Sequence, residues 1–431
     1  MSSGHSSTSS ASSAPSFVDH LDLDALASLA TQMRSGEIKC TVDATPEIGA
    51  FNVVYFLEFT DGVRWVARIP IPRWSEALQK RMSLDRISLD FIGTSTTIPV
   101  PRIIDCQTTE NNALGRPYTL MTFLPGTQLA KLWFDPTWFT DERRNTVFES
   151  LARLMSQLSS HEFPMIGQLD IDPTAGTVFV GPYYPFIDAV SEGETSPDPI
   201  GDPSSSTYLS LQSEITDQLK EASNTTVISC LQLLRTFAGM LPNPEFDGAP
   251  FFLSHPDFGY QNILVDGEGN VTGIIDWDGV CVGPRQIAFA SYPSWITRDW
   301  DPLLYGYREA STSDNGEDEN EDLSREAQQE DSPEALSRFR EEYLAVFTRL
   351  NPGHARLTQH SHVLEALDIA INAPFLRGHI LDKLTEYVYG GNDDDDVEFL
   401  TFDILARRLS MSAWTRDTVG ADKLARGGDY I

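Results

Sequence analysis

The sequence predicts an α+β protein of two lobes, a small β-rich lobe followed by a larger, mostly helical one. Three observations carry this prediction. The chain has 431 residues, which is too long for one ordinary hydrophobic core. Runs of β-branched and aromatic residues concentrate before residue 125, and helical periodicity dominates after it. We therefore divide the chain into a disordered tail (1–17), a first lobe (18–125) and a second lobe (126–431).

The first lobe contains two predicted helices and at least four strands. The pair of runs in "NVVYFLEFTDGVRWVARIP" surrounds Thr60-Asp61-Gly62, which is a hairpin signal. "IPVPRIIDC" and "RPYTLMTFLPG" are further strands, and Pro125-Gly126 ends the lobe. Apolar spacing predicts the helices in "HLDLDALASLATQM" and "SEALQKRMSLDRISLDFIG".

The second lobe contains long segments with helical periodicity. They are "DERRNTVFESLARLMSQLSSHEF", "EALSRFREEYLAVFTRL", "HVLEALDIAINAPFLRGHILDKLTEYVY" and "EFLTFDILARRLSMSAW". Polar or acidic stretches at 191–206, 311–334 and 390–396 contain too few apolar groups to offset the entropy of ordering, and we interpret them as disordered surface insertions. An acidic interaction tail is the alternative.

Composition excludes several classes of partner. The formal net charge of −32 repels nucleic acid phosphates and anionic lipid, and no apolar stretch is long enough to span a bilayer. The four cysteines are scattered without a C-x-x-C pair, and the Ser-rich N-terminus lacks an apolar core and arginine. These features predict a cytoplasmic protein with reduced thiols; they do not indicate an oligomeric state.

One segment concentrates polar groups that suit a chemical site. In "SHPDFGYQNILVDGEGNVTGIIDWDG", residues 254–279, a turn at 266–270 joins two short strands. Asn262 begins the first strand and Asp276 ends the second, so the hairpin sets them side by side at one rim. Asp257 precedes Asn262 by five residues and can approach from a loop.

These three residue types together suit phosphoryl transfer. An amide oxygen and a carboxylate are hard donors for Mg²⁺, which takes its other oxygens from phosphates. A further carboxylate can accept the proton of a hydroxyl. Each residue alone is commonly a turn residue, but the spacing of the combination indicates transfer of phosphate from a nucleotide to a hydroxyl.

The same segment resembles the aminoglycoside phosphotransferase and choline kinase-like enzymes, which share the protein kinase fold. Their pattern is H-x-D-x-x-x-x-N followed by I-D-W or I-D-F, and the resemblance extends over about residues 36 to 300. It implies that Asp257 is the catalytic base, that His255 braces the catalytic loop, and that Asn262 and Asp276 hold Mg²⁺. Pro256 departs from the pattern without removing any of these side chains.

The resemblance also implies a nucleotide site in the first lobe. Arg68, in "RWVARIP", and Asp85, on the following helix, resemble the lysine–glutamate pair that holds the α and β phosphates. A purely structural salt bridge at Arg68 is the alternative. Gly49 is the single glycine where a glycine-rich loop is expected, and the backbone from Met121 to Phe123 would meet adenine.

The predicted activity is that of an ATP-dependent, Mg²⁺-dependent kinase for a hydroxyl on a small, amine-bearing molecule. A kinase-like binding protein without activity is one alternative. It is favoured by Arg68 in place of lysine, by the sparse glycine loop, and by Thr122 where the family usually has an acidic residue. A protein kinase is another, although no D-F-G or A-P-E element is visible. On the acceptor side, Trp277, Trp295 and Trp300 either line a pocket or belong to the core. Asp278 and Asp299 could hold an amine, with a solvated position favoured for Asp299.

Overall fold

A computed structural model describes residues 17–34, 37–184, 198–301, 305–307 and 329–389. The predicted tail up to residue 16, residues 191–197 and 311–328 of the two insertions, the acidic run 390–396 and the helix predicted in "EFLTFDILARRLSMSAW" lie outside the described residues.

The first lobe is built on a sheet of six strands. They are β1 (Cys40–Val42), β2 (Glu47–Ile48), β3 (Asn52–Phe59), β4 (Arg64–Pro70), β5 (Ile103–Gln107) and β6 (Tyr118–Thr122). The order is β1-β3-β4-β6-β5, and β2 pairs with β3. β3 and β4 form the predicted hairpin, whose turn requires Gly62 because φ is +82° there.

Two helices complete this lobe, α1 (Leu23–Met33) and α2 (Glu76–Ser95). Asp22 caps the first turn of α1, and Ser75 caps that of α2, each accepting a backbone N–H. α1 covers a core formed by alternate residues of β3 and β4, because side chains of a strand point to opposite faces. α2 joins the large core of the second lobe through Leu89 and Ile92.

In its described residues the second lobe is mostly helical and carries three small sheets. Its strands are β7 (Thr127–Gln128), β8 (Gln168–Ile171), β9 (Val178–Gly181), β10 (Phe252–Ser254), β11 (Ile263–Val265), β12 (Val271–Ile274) and β13 (Cys281–Gly283). Its helices are α3 (Asp141–Met155), α4 (Thr207–Glu221), α5 (Thr225–Met240), α6 (Pro333–Leu350), α7 (Ala355–Thr358), α8 (Ser361–Asn372) and α9 (Arg377–Tyr389). The sheets are β12-β11-β7, β10-β13 and β8-β9. This is the two-lobed α+β architecture that the sequence predicts.

Three details differ from the sequence analysis. The single helix predicted over 362–389 is two helices, because the chain leaves the helix at Ala373, just before Pro374. Ser332 caps α6, so the helix begins inside the stretch 311–334 that was interpreted as an insertion. Within 198–206, Gly201 and Ser204 form backbone bridges to Tyr183 and Ile166, which gives this part a defined conformation.

All four cysteines are free thiols. In the described ranges no helix has both the length and the apolar character that a bilayer span requires.

Candidate active site

The β11–β12 hairpin fixes the relative position of Asn262 and Asp276. Ile263 lies opposite Ile274 in the antiparallel register, and one step further the Ile275 N–H donates to the Asn262 carbonyl at 2.9 Å. Asn262 therefore sits where the first strand begins, and Asp276 follows the end of the second. The apolar strand residues that pack into the core hold both ends of the hairpin in place.

Asp257 and Asn262 are in direct contact. The Asn262 side-chain amide donates to the Asp257 carbonyl and to its carboxylate Oδ2, both at 2.9 Å. The Gln261 amide donates to the same Oδ2 at 2.9 Å. In the described part of the chain, no donor binds the other carboxylate oxygen, Oδ1, so that atom is left for a proton donor from outside the protein.

His255 connects the loop that carries Asp257 with the hairpin. Its Nδ1 accepts the Asp257 N–H at 3.1 Å, so Nε2 carries the proton and donates to the Ile275 carbonyl at 3.0 Å. Burial lowers the pKa of His255 to about 4, which keeps the ring neutral at physiological pH. His255 is therefore a neutral ring that joins the Asp257 loop to the end of β12.

The turn after β12 has an unusual backbone. Asp276 has φ of +63°, a left-handed conformation that few residues other than glycine adopt, and Gly279 has φ of +90°. The Gly279 N–H donates to Asp85 Oδ1 on α2 at 2.8 Å. A Cβ at Gly279 would lie 2.6 Å from Arg81 Nη2, the movable end of a side chain, so glycine is required here by conformation first.

Arg68 reaches this turn from the centre of the first-lobe sheet. Its guanidinium donates Nη1–H to Asp278 Oδ1 at 2.9 Å and Nη2–H to Asp278 Oδ2 at 2.7 Å. Nη2 also donates to Asp276 Oδ1 at 2.9 Å. The two neighbouring carboxylates raise the pKa of Arg68, outweighing burial, while burial raises the pKa of Asp276 despite the Arg68 charge.

The predicted pairing of Arg68 with Asp85 is wrong in its direct form. Asp85 binds Arg81 Nε, one turn earlier on α2, at 3.2 Å, and it accepts the Gly279 N–H. Arg68 finds its charge partners in the turn instead. Burial raises the pKa of Asp85 to about 6, although Arg81 opposes that shift. Asp85 thus anchors the turn, and it affects Arg68 through space only.

A cleft of about 630 Å³ lies between the lobes, which is within the usual range for a small-ligand site. One part of its lining is apolar and comes from both lobes: Val54, Phe56, Val66, Met121, Phe123, Leu264 and Ile275. The other part is polar, with Arg68, Asp85, Asp276 and Asp278. Gly49 lines the cleft from the loop between β2 and β3, where its N–H donates to the Asn52 carbonyl at 2.9 Å.

The backbone that was predicted to meet adenine is partly engaged within the protein. Met121 pairs with both neighbouring strands in the sheet. The N–H groups of Thr122 and Phe123 donate to the carbonyls of Arg102 and Arg64. Leu124 is the first residue after β6 whose N–H has no hydrogen-bond partner among the described residues. The pairing of β6 to its end thus leaves the Leu124 N–H, and not those of Thr122 and Phe123, free of hydrogen bonds among the described residues.

The donor set of the turn and the loop fits a hard cation such as Mg²⁺. The Asn262 amide nitrogen donates both of its hydrogens to Asp257, so the Asn262 Oδ1 is left to bind a cation. Asp276 Oδ2 is also available, because Arg68 binds only the Oδ1 of that residue. The described residues contain no group of three or more His, Cys, Asp or Glu side chains that could hold a metal ion. An ion here would need oxygens from water or phosphate to complete its coordination.

On the acceptor side the structure corrects one prediction. Asp299 is buried, at 8% exposure, and forms a two-bond ion pair with Arg340 at 2.6 and 3.0 Å, so its interpretation as a solvated residue is wrong. Trp277 and Trp295 belong to the buried core, and Trp277 also lines the cleft between the lobes. Trp300 packs against the ring of His362 at 4.9 Å between centroids.

Two residues of the site were missed by the sequence analysis, Gln261 and Arg81. Gln261 directly precedes Asn262, so the spacing alone could have placed its amide near Asp257. Arg81 precedes Asp85 by four residues on one helix face, which is the spacing of an ion pair. Asp278 was considered only as a ligand for an amine, and its contact with Arg68 was not predicted.

Comparison with known proteins supports the resemblance. The sequence model of the phosphotransferase enzyme family, APH, matches residues 45–328. A subtelomeric hrmA-associated cluster protein of Aspergillus fumigatus is 26% identical over 309 residues, 58% of this chain and 60% of that protein. This chain thus spans 60% of the length of that relative, which is less than two thirds. The protein named altered inheritance of mitochondria protein 9, mitochondrial, of Meyerozyma guilliermondii is 25% identical over 147 residues, 34% of this chain and 23% of that protein.

Among solved structures, the macrolide 2'-phosphotransferase MphH from Brachybacterium faecium is similar with a TM-score of 0.44 and 15% identity, covering 86% of this chain and 100% of that one. The family match includes the β2–β3 loop, the cleft, the Asp257 loop and the turn after β12, and it extends over more than half of the sequence. The chain belongs to the phosphotransferase enzyme family.

Proposed function

We propose that this protein transfers the γ-phosphate of ATP to a hydroxyl of a small molecule that carries an amine. The observation that supports this most is the Asp257–Asn262 contact, next to a turn whose carboxylates bind Arg68. A proton acceptor, two oxygen donors for a cation and a fixed positive charge are the groups that phosphoryl transfer needs.

In this proposal ATP occupies the cleft between the lobes. Adenine would lie in its apolar part, with Leu124 N–H available as a hydrogen-bond donor, and the phosphates would extend toward Arg68. Asn262 Oδ1 and Asp276 would hold Mg²⁺, which supplies charge neutralisation for the phosphates when it is bound. Asp257 Oδ1 would accept the hydroxyl proton of the acceptor.

The acceptor is inferred from charge. The formal net charge of −32 favours cationic small molecules over nucleic acids and anionic surfaces. A cytoplasmic location remains a prediction from the sequence. A kinase-like protein that binds nucleotide without turnover remains the second candidate, because Arg68 is engaged by Asp276, a proposed metal ligand.

The test is an ATP-consumption screen of the full chain against a library of hydroxylated amines, with Asp257→Asn as the matched blank. We expect Mg²⁺-dependent turnover by the unaltered protein with at least one acceptor. Asp257→Asn should bind ATP equally well and lose turnover by a factor of about 10²–10⁴. ATP binding without turnover on any acceptor would favour the second candidate, and equal turnover by Asp257→Asn would contradict the role of that residue.

A further inference from the structure

Asp278 makes the most extensive contact that Arg68 has. The guanidinium meets both carboxylate oxygens of Asp278 through two nitrogens, at 2.9 and 2.7 Å. Asp276 receives a single bond from one of those nitrogens. A two-bond fork fixes the plane of a guanidinium, whereas a single bond leaves it free to turn. Asp278, two residues beyond a proposed metal ligand, therefore sets the orientation of Arg68.

The backbone of the turn that carries Asp278 is held in place by contacts with α2. The next residue, Gly279, donates its N–H to Asp85, and Asp85 is bound by Arg81 on the same helix. The turn that carries Asp278 is thus attached to α2, while Arg68 belongs to the central strand β4. The Arg68–Asp278 pair joins the first-lobe sheet to the turn of the second lobe.

One guanidinium is shared between two carboxylates, and only one of these is a proposed metal ligand. A divalent cation at Asp276 Oδ2 would repel the Arg68 guanidinium bound at Oδ1 of the same carboxylate, so the two positive charges compete for Asp276. The fork to Asp278 can persist while Asp276 is released, because Nη1 binds Asp278 alone. The charge of Asp278 thereby weakens the ion pair between Arg68 and Asp276.

We propose that Asp278 is a positioning residue for phosphoryl transfer: it keeps Arg68 directed at the nucleotide phosphates and leaves Asp276 available to the divalent cation. This inference rests on the function proposed above. It gives Asp278 the role that Asp85 was predicted to have, and it assigns Asp85, with Arg81, to holding the turn.

The inference predicts a change in metal requirement. In Asp278→Asn, Asp276 becomes the only carboxylate that is hydrogen-bonded to Arg68, so Arg68 and Mg²⁺ compete for it. The Mg²⁺ concentration for half-maximal ATP binding should rise about tenfold. In an Arg68→Ala background the competitor is absent, and Asp278→Asn should leave the Mg²⁺ requirement unchanged. Asp278→Glu, which retains a carboxylate, should recover most of the loss.

The experiment is a calorimetric titration of ATP into four forms of the 431-residue chain (unaltered, Asp278→Asn, Arg68→Ala and the double variant) over a series of Mg²⁺ concentrations. Glu342→Gln is the matched control, because it breaks a comparable two-bond pair with Arg144 between α3 and α6. That control should leave the Mg²⁺ requirement unchanged. If Asp278→Asn raises the Mg²⁺ requirement equally in the unaltered protein and in Arg68→Ala, the inference is overturned.

Failure of the proposed function is distinguishable in the same series. Absence of ATP binding by the unaltered protein at every Mg²⁺ concentration would overturn both proposals. If ATP binds but Asp278→Asn and Arg68→Ala change the Mg²⁺ requirement additively, only the role proposed for Asp278 is overturned. If Asp278→Asn does not fold, the binding of Mn²⁺ alone to Arg68→Ala decides. Tighter Mn²⁺ binding than in the unaltered protein supports competition for Asp276, and unchanged binding contradicts it.

Discussion

The side-chain amide of Asn262 donates to the carboxylate of Asp257 at 2.9 Å, on the same oxygen that accepts from Gln261. Both bonds fall on Oδ2, so they orient the carboxylate and leave Oδ1 without a donor among the described residues. The loop thus presents one defined oxygen, and two neighbouring amides set its direction.

Removal of one amide should weaken catalysis without affecting nucleotide binding. For Gln261→Ala we expect kcat to fall about tenfold, since partners that orient a functional group contribute factors of this size. The KM for ATP should stay unchanged, because Gln261 does not line the cleft. Steady-state kinetics measures both. Gln212→Ala, which removes an amide bonded to Arg235 on the exposed surface, is the control and should behave as the unaltered protein. A rise in KM for ATP with constant kcat would contradict this interpretation.

Stability should fall at acidic pH because of His255. Burial lowers its pKa to about 4 in the folded protein, against about 6.5 in the unfolded chain. The unfolded chain therefore binds the proton first as pH falls. The stabilisation is complete above about pH 6.5, decreases as pH falls toward 4, and levels off below that. The change is at most about 3 kcal/mol.

Denaturant unfolding of the unaltered protein and His255→Asn, from pH 7.5 to 4, measures this difference. Asn can still accept the Asp257 N–H, so the variant removes the titration more than the contact. Other groups titrate as well: burial lowers the pKa of His362 to about 3 and raises that of Asp85 to about 6. These groups are present in both proteins, so their effects cancel in the comparison. Only the unaltered protein loses the contribution of His255, so its stability advantage over His255→Asn should narrow toward low pH. A difference that is constant with pH would show that His255 does not titrate in this range.

Gly279 should be among the least replaceable residues of the turn. Gly279→Ala places a side chain at a φ of +90° and displaces the Arg81 guanidinium, so the free energy of unfolding should fall by about 1–3 kcal/mol. The turn would also move away from Asp85, which should weaken ATP binding. Thermal and denaturant unfolding measure the first effect and calorimetry the second. Gly267→Ala is the control: a Cβ there meets no atom within 4 Å, and stability should change by less than about 0.5 kcal/mol.

The backbone of the site was predictable because its signals are local. An apolar run on each side of Asp266-Gly267 predicts the β11–β12 hairpin, and the hairpin alone sets Asn262 beside the end of β12. The hairpin of β3 and β4, and the helix that follows it, were predictable for the same reason. Each pattern is contained within about twenty residues, where propensity and periodicity act directly.

The charge partners were not predictable, since they depend on packing between distant segments. Arg68 and Asp278 are 210 residues apart, and the position of Asp85 on a helix does not show which cation it contacts. The conformation of the turn at Asp276 decides which carboxylate binds Arg68. The sequence does not reveal the positive φ of Asp276. Similarly, Asp299 is buried because Arg340, on α6, reaches it from another segment. A charged residue with a distant partner cannot be distinguished from a solvated one by composition.

Substitution of Asp276 by Asn should remove activity without lowering the stability of the protein. Its φ of +63° is unfavourable for most side chains, but Asn adopts this conformation more readily than others do. Asp276→Asn also removes a negative charge beside Asp278 and leaves the fork from Arg68 to Asp278 intact. We therefore expect the free energy of unfolding to stay within about 0.5 kcal/mol of the unaltered value or to rise, while Mg²⁺-dependent turnover falls at least about 100-fold.

Asp276→Ala is the comparison that isolates the backbone term. Alanine lacks both the carboxylate and the local hydrogen bonds that make the left-handed conformation tolerable to Asn, so it should be less stable than Asp276→Asn by about 1 kcal/mol with an equal loss of turnover. Denaturant unfolding of the metal-free proteins gives the stabilities, and ATP consumption at saturating Mg²⁺ gives the turnover. If Asp276→Asn is as unstable as Asp276→Ala, its loss of turnover would reflect a disturbed turn, and the assignment of Asp276 to the cation would lose this support.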